Sequence, residues 1–196
     1  VGQSGFSGGL TEYRIAVANT NKIYQGQVVI PLAAGVIDTA AGAEGGTVGL
    51  LGVFWGCEYV SASTGKKVYS NYWPGVAPKT GTFVKAFVYD NPLQTFVIAS
   101  DASLTTEATA RAHVFINADL STGVTGIDAT GMSLGRLAVS TVASTDTLNL
   151  RIMGFQEDAD NWDFTAAGIG VIVRLNNHFN SPNGSIAGGT VSTTGV

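Results

Sequence analysis

Thr47-Val48-Gly49-Leu50-Leu51-Gly52-Val53-Phe54-Trp55-Gly56-Cys57-Glu58-Tyr59 decides the fold class. The run is apolar, but glycines at 49, 52 and 56 cut it. Each glycine would cost a helix interior about 1 kcal/mol relative to alanine. A bent or bulged strand, or two strands meeting at a barrel corner, accommodates them instead. Ser63-Thr64-Gly65-Lys66 then supplies turn chemistry, and Lys67-Val68-Tyr69-Ser70-Asn71-Tyr72 alternates polar with apolar. The two segments therefore predict a β-hairpin.

The same pattern extends outward. Glu12-Tyr13-Arg14-Ile15-Ala16-Val17 alternates and turns at Asn19-Thr20-Asn21, and Gln27-Val28-Val29-Ile30 is expected to stop at Pro31. Phe83 to Tyr89 and Thr95 to Ala99, joined by Asp90-Asn91-Pro92, predict a second hairpin. Leu104 to Ala112 is the one helical stretch, with Ser103 as its N-cap. Val114-Phe115-Ile116 and a Gly/Thr-rich loop lead to three further strands, around Arg136–Thr141, Leu148–Met153 and Val171–Leu175. Short strands separated by turns predict an all-β fold, an antiparallel β-barrel or β-sandwich with one short helix, rather than βαβ units. Residues 1–10 and 181–196 are glycine-rich and poor in large apolar groups, so they are expected to be extended arms flanking a single β domain over 11–180. Phe6, Leu10 and Ile186 punctuate these ends and are candidate contacts with neighbouring subunits.

The charge content narrows the function classes. Of 196 residues only 12% are charged, against about 25% in an ordinary globular domain. Charges are depleted where subunits bury one another, so part of this surface is expected to be covered by a partner. The net charge is −4 and the ten Lys and Arg are scattered, which argues against nucleic acid as a partner. No apolar stretch reaches the roughly 20 residues a membrane helix needs, so no membrane partner is expected. Val1-Gly2-Gln3-Ser4-Gly5 carries neither the charged nor the apolar region of a signal peptide. A single cysteine, Cys57, rules out an intramolecular disulfide.

Motifs that carry chemistry fail on their context. Gly5-Phe6-Ser7-Gly8-Gly9 has the G-x-S-x-G spacing, but a nucleophile elbow needs a strand before the serine and a helix after it. His113 and His178, the two histidines, have no local partners at metal-ligand or acid–base spacing. Glu157-Asp158-Ala159-Asp160-Asn161-Trp162-Asp163 starts like a calcium loop but lacks the sharp-turn glycine and the closing glutamate, so it predicts a solvated turn between strands. Cys57, among Phe54, Trp55 and Tyr59, predicts a buried, unreactive thiol. Neither a catalytic activity nor a cofactor is expected. Tyr72 and Trp73, at the end of a strand in an aromatic-rich stretch, are candidate contact residues for a protein interface or, in an alternative reading, for sugar rings in a carbohydrate-binding or host-attachment module.

Several stretches in order, Gly52 to Tyr59, Thr64-Gly65-Lys66-Lys67, Ser70-Asn71-Tyr72-Trp73-Pro74, Ala86 to Pro92, Leu150 to Phe155 and Val173 to His178, resemble a family of virion structural proteins of tailed bacteriophages, especially phages of marine bacteria and cyanobacteria. The resemblance spans about positions 47–179 and includes no site motif. It implies a capsid decoration or cement protein on the capsid exterior of the virion. Its partner would be the major capsid protein, and the chain itself is expected to be a homo-oligomer, a dimer or trimer.

Overall fold

A computed structural model describes residues 9–40, 42, 49–123 and 125–181. The chain is all-β, and its first half closes on itself. β1 (Thr11–Ile15), β2 (Val28–Leu32), β3 (Val36–Thr39), β4 (Gly52–Val60) and β6 (Val84–Tyr89) form a ring in the order β1-β3-β2-β4-β6, and β6 returns to β1. β5 (Lys67–Ser70) hangs from the far end of β4 as the predicted hairpin, with Cys57 opposite Ser70 and Val60 opposite Lys67. Alternation places Tyr13, Ile15, Val29, Ile37, Val84, Ala86 and Val88 inside the barrel.

β4 shows why its glycines are there. Its pairing with β6 slips between Phe54 and Gly56, so Trp55 is the extra residue of a β-bulge. Phe54 and Cys57 both point into the barrel across that bulge. At Gly52, where β2 and β4 close the ring, a Cβ would stand 2.2 Å from the Tyr89 carbonyl oxygen. Only glycine permits that approach.

The second half forms an antiparallel five-stranded sheet in the order β11-β8-β12-β13-β7. Its strands are β7 (Thr95–Ala99), β8 (Asn117–Leu120), β11 (Leu137–Ala143), β12 (Leu150–Phe155) and β13 (Gly170–Leu175). Its inner face, with Leu137, Leu150, Ile152, Val171, Val173 and Leu175, packs on Val28, Leu50 and Val53 from the barrel's outside. Leu104, Ala110 and Phe164 complete this second core. A two-stranded ribbon of β9 (Gly126–Ile127) and β10 (Met132–Ser133) lies against Tyr24 and Gln25.

Four local expectations change. Phe83–Tyr89 and Thr95–Ala99 do not form a hairpin, because β6 belongs to the barrel while β7 pairs with β13. The connection diverges at Asp90, which is buried and accepts hydrogen bonds from Thr11 Oγ1 (2.9 Å) and Tyr13 Oη (2.7 Å). The strand from Val28 runs through Pro31 to Leu32. Val29 bonds toward β4, and by alternation Pro31's missing N–H faces that same side, beyond the last β2–β4 pair. The helix, α1, covers only Glu107–Ala112, and Thr106 rather than Ser103 caps it by accepting from the Thr109 amide. Thr105 stands at φ +66°, which breaks the helix before that point. Finally, β3, β8, β9 and β10 are strands where none was expected, the last three lying in what reads as a Gly/Thr-rich loop after Val114–Ile116. The arms at 1–8 and 182–196 lie outside the described residues.

Candidate functional site

The five residues expected to make contacts meet different fates. Phe6 and Ile186 lie outside the described residues. Leu10 is 39% exposed at the start of β1. Tyr72 is half-buried and stacked on Tyr24, with ring centroids 5.6 Å apart. Trp73 is not a surface residue: its exposure is 0%. It forms an isolated bridge with Ile23, its Nε1 donates to the Asn19 carbonyl at 3.2 Å, and its ring meets Tyr59 edge-on at 5.2 Å. Trp73 plugs the barrel core and, contrary to its expected contact role, presents no surface to a partner.

The exposed aromatics stand elsewhere. Trp55, thrown outward by the β4 bulge, is 47% exposed and meets Tyr89 edge-on at 5.5 Å. The two rings help line a cleft of about 530 Å³ between the barrel and the second sheet. Val28, Val53, Phe96, Ile98, Leu150 and Val173 line its apolar wall, and Gln25, Gln94 and Ser133 contribute polar groups. That volume lies within the range of small-molecule pockets. Tyr69 and Phe83 are exposed on the barrel, Phe83 lying under the Arg14 guanidinium at 3.5 Å. Phe115, at φ +68°, is exposed beside the second sheet. Trp55 was missed because a bulge inverts the face a strand residue takes, and no local signal marks which residue will be the extra one.

The titratable groups resolve into structural roles. Cys57 is buried, with Sγ 3.4 Å from the Tyr72 carbonyl, and burial pushes its thiol up to about 12, as its apolar neighbours lead one to expect. His178 comes from the stretch after β13 and bridges to Leu50 of the barrel. Its Nδ1 accepts from the Asn180 amide at 3.1 Å, and its buried Nε2 has no partner among the described residues. Burial pushes it down to about 4, against a smaller upward pull from Asp90. Tyr13, beside Asp90, is pushed up to about 12 by burial and then by its bond to that carboxylate. The fold thus brings half-buried Tyr13 onto buried Asp90, with buried His178 near enough to feel that carboxylate's charge. His113 is half-buried, and burial lowers its pKa.

The acidic stretch is the turn its sequence predicts. Asp158 accepts from the Asp160 amide at the start of a 3₁₀ turn over Ala159–Asn161, and Asp163 accepts from the Thr165 amide and hydroxyl. Asn161 ties the loop to Gly170 by donating to its carbonyl and accepting from its amide. Among the described residues no group of three or more His, Cys, Asp or Glu side chains is placed to hold a metal ion. Of the G-x-S-x-G pentad only Gly9 is described. Compared with known proteins, the chain matches no family model, no curated protein and no solved structure.

Proposed function

We propose that this chain is a structural virion protein that decorates and stabilises a phage capsid, binding the outer surface of the major capsid protein lattice as a homo-oligomer. One observation carries the reading: large apolar side chains stay exposed on both halves of the fold. Tyr69 and Phe83 do so on the barrel, and Val97 and Phe115 on the second sheet, under a surface in which charged residues are scarce. A lattice piece needs neighbours on more than one side, and such contacts multiply when symmetry repeats them. The packing of the barrel against the sheet through one continuous core suits a rigid clamp. The resemblance of residues 47–179 to phage virion proteins points the same way. The test is a comparison of particles with and without the chain. The protein should copurify with intact capsids, and capsids lacking it should rupture at lower temperature. Equal rupture temperatures would overturn the stabilising role.

A second reading has its own observation. Trp55 and Tyr89, lining the same cleft as Gln25 and Gln94, supply the aromatic-and-amide combination that stacks on and hydrogen-bonds sugar rings. A carbohydrate-binding module would use this site rather than Tyr72 and Trp73. Glycan-array binding that Trp55→Ala abolishes would establish it, and a blank array would eliminate it.

A further inference from the structure

The outer face of the five-stranded sheet is built for a cover that the single chain does not supply among its described residues. An antiparallel sheet with one solvated face alternates apolar with polar side chains. β7 and β13 do not. Phe96, Ile98, Val171 and Val173 fill the inner core, yet on the opposite face Val97 pairs with Ile172. Val97 is 59% exposed, and half-buried Met153 is the extra residue of a bulge in β12 next to Gly154, the partner of Ile172. A Cβ built on Gly154, the partner of Ile172 across the ladder, would meet no atom within 4 Å.

The two ends of this face carry opposite charge. At one end Arg151 and Arg174 are direct cross-strand partners, an arrangement in which like charges repel. Arg151 Nε donates to Asn117 Oδ1 at 3.0 Å. Arg174 has no side-chain hydrogen bond or ion pair among the described residues. At the other end, about 13 Å along the strands at roughly 3.3 Å per residue, the loop after Phe155 folds over the same face. A Cβ on Gly170 would there meet Gln156 Oε1 at 2.9 Å, Asn161 Oδ1 at 3.2 Å and Val97 Cγ1 at 3.4 Å. That loop presents Asp158 and Asp160, both exposed.

We infer that this face binds a second copy of the chain across a two-fold axis lying between the sheets and perpendicular to the strands. That rotation reverses the strand direction. It sets Arg174 of each copy over the Asp158–Asp160 loop of the other and lays the two Val97–Ile172 patches on each other. The surface is self-complementary, as an isologous contact requires, with an apolar centre and a charged rim. A partner of different chemistry would have to supply both halves of the match; this chain already carries them. The inference does not depend on the capsid reading.

Sedimentation velocity on the full chain tests it. The wild type should dimerise, and more weakly as salt is raised. Arg174→Glu and Val97→Asp, both on the surface and checked for an unchanged melting temperature, should each weaken the dissociation constant at least about tenfold. The double variant Arg174→Glu with Asp160→Arg should recover most of the Arg174→Glu loss, because the swapped charges meet again in the two-fold pair. A monomeric wild type, a dimer indifferent to both single variants, or a double variant no better than Arg174→Glu would each overturn the proposal. So would a monomeric chain whose Val97→Asp variant loses binding to capsids, since the face would then belong to the lattice.

Discussion

Acidification should loosen this fold through one side chain. His178 is 1% exposed, and its Nδ1 accepts a hydrogen bond from the Asn180 amide, so the neutral ring carries its proton on Nε2. A second proton would place an N–H at Nδ1 facing another N–H. In the unfolded chain the ring titrates near 6.5, and in the folded protein burial holds it down to about 4. The sign follows from that order. Above 6.5 both states are neutral and the ring contributes no pH dependence. As pH falls below 6.5 the unfolded chain takes up a proton that the folded one refuses, so stability is lost until the folded pKa is reached. At about 1.4 kcal/mol per pH unit, the gap corresponds to about 3 kcal/mol in full, of which about 2.4 kcal/mol is gone between pH 7 and pH 4.5. His113, also lowered by burial, acts in the same direction. Glu58, Asp128 and Asp163 are held low by their partners and lose that stabilisation mainly below this window. Urea unfolding at pH 7 and pH 4.5, on wild type and on His178→Asn, isolates the ring, since asparagine keeps an acceptor without titrating. The variant should be less stable at pH 7 but lose about 2 kcal/mol less on acidification. Equal losses in the two proteins would refute the argument.

Three further outcomes follow from packing. Trp73→Ala should cost about 3–5 kcal/mol in urea unfolding, because it empties the barrel core, whereas Tyr72→Ala should cost clearly less. Gly52→Ala should destabilise by about 3 kcal/mol or more, since its Cβ meets the Tyr89 carbonyl where the ring closes, while Gly154→Ala, into open space, should shift the thermal midpoint little. Cys57 should resist a water-soluble disulfide reagent in the native protein and react at once in urea, because burial holds the thiol up to about 12.

The sequence discloses what is local. The hairpin of β4 and β5 is legible because the Ser63–Lys66 turn lies between its strands, and the glycines of β4 announce a bend before its geometry is known. Pairing across the chain is not legible in the same way. β6 and β7 both alternate and are joined by good turn residues, yet they face different cores, and only Asp90's bonds to Thr11 and Tyr13 show where the chain leaves the barrel. β3 is four residues long, and one pairing, Ile15 with Ile37, joins it to β1, so no pattern signals it. The candidate site divides likewise. Burial of Trp73 depends on Ile23, fifty residues earlier, and exposure of Trp55 depends on a bulge. The apolar outer row of β7 and β13 has no local signal of its own, because only the sheet shows which residues share that face and that no described residue covers Val97.

The barrel strands lie within residues 11–89, yet the barrel is not finished there. Leu50 donates its amide to the Asn177 carbonyl and accepts from the Phe179 amide, and the Phe179 ring packs on the barrel core. During synthesis the ring of strands must therefore wait, incompletely covered, for a segment made about ninety residues later. Contacts of such sequence separation slow folding and prolong the exposure of apolar surface. The same tie gives the chain a quality check, because a copy truncated before residue 177 would keep the packed contact between its halves but lack the segment that bonds to Leu50 and covers the barrel core, and should be destabilised.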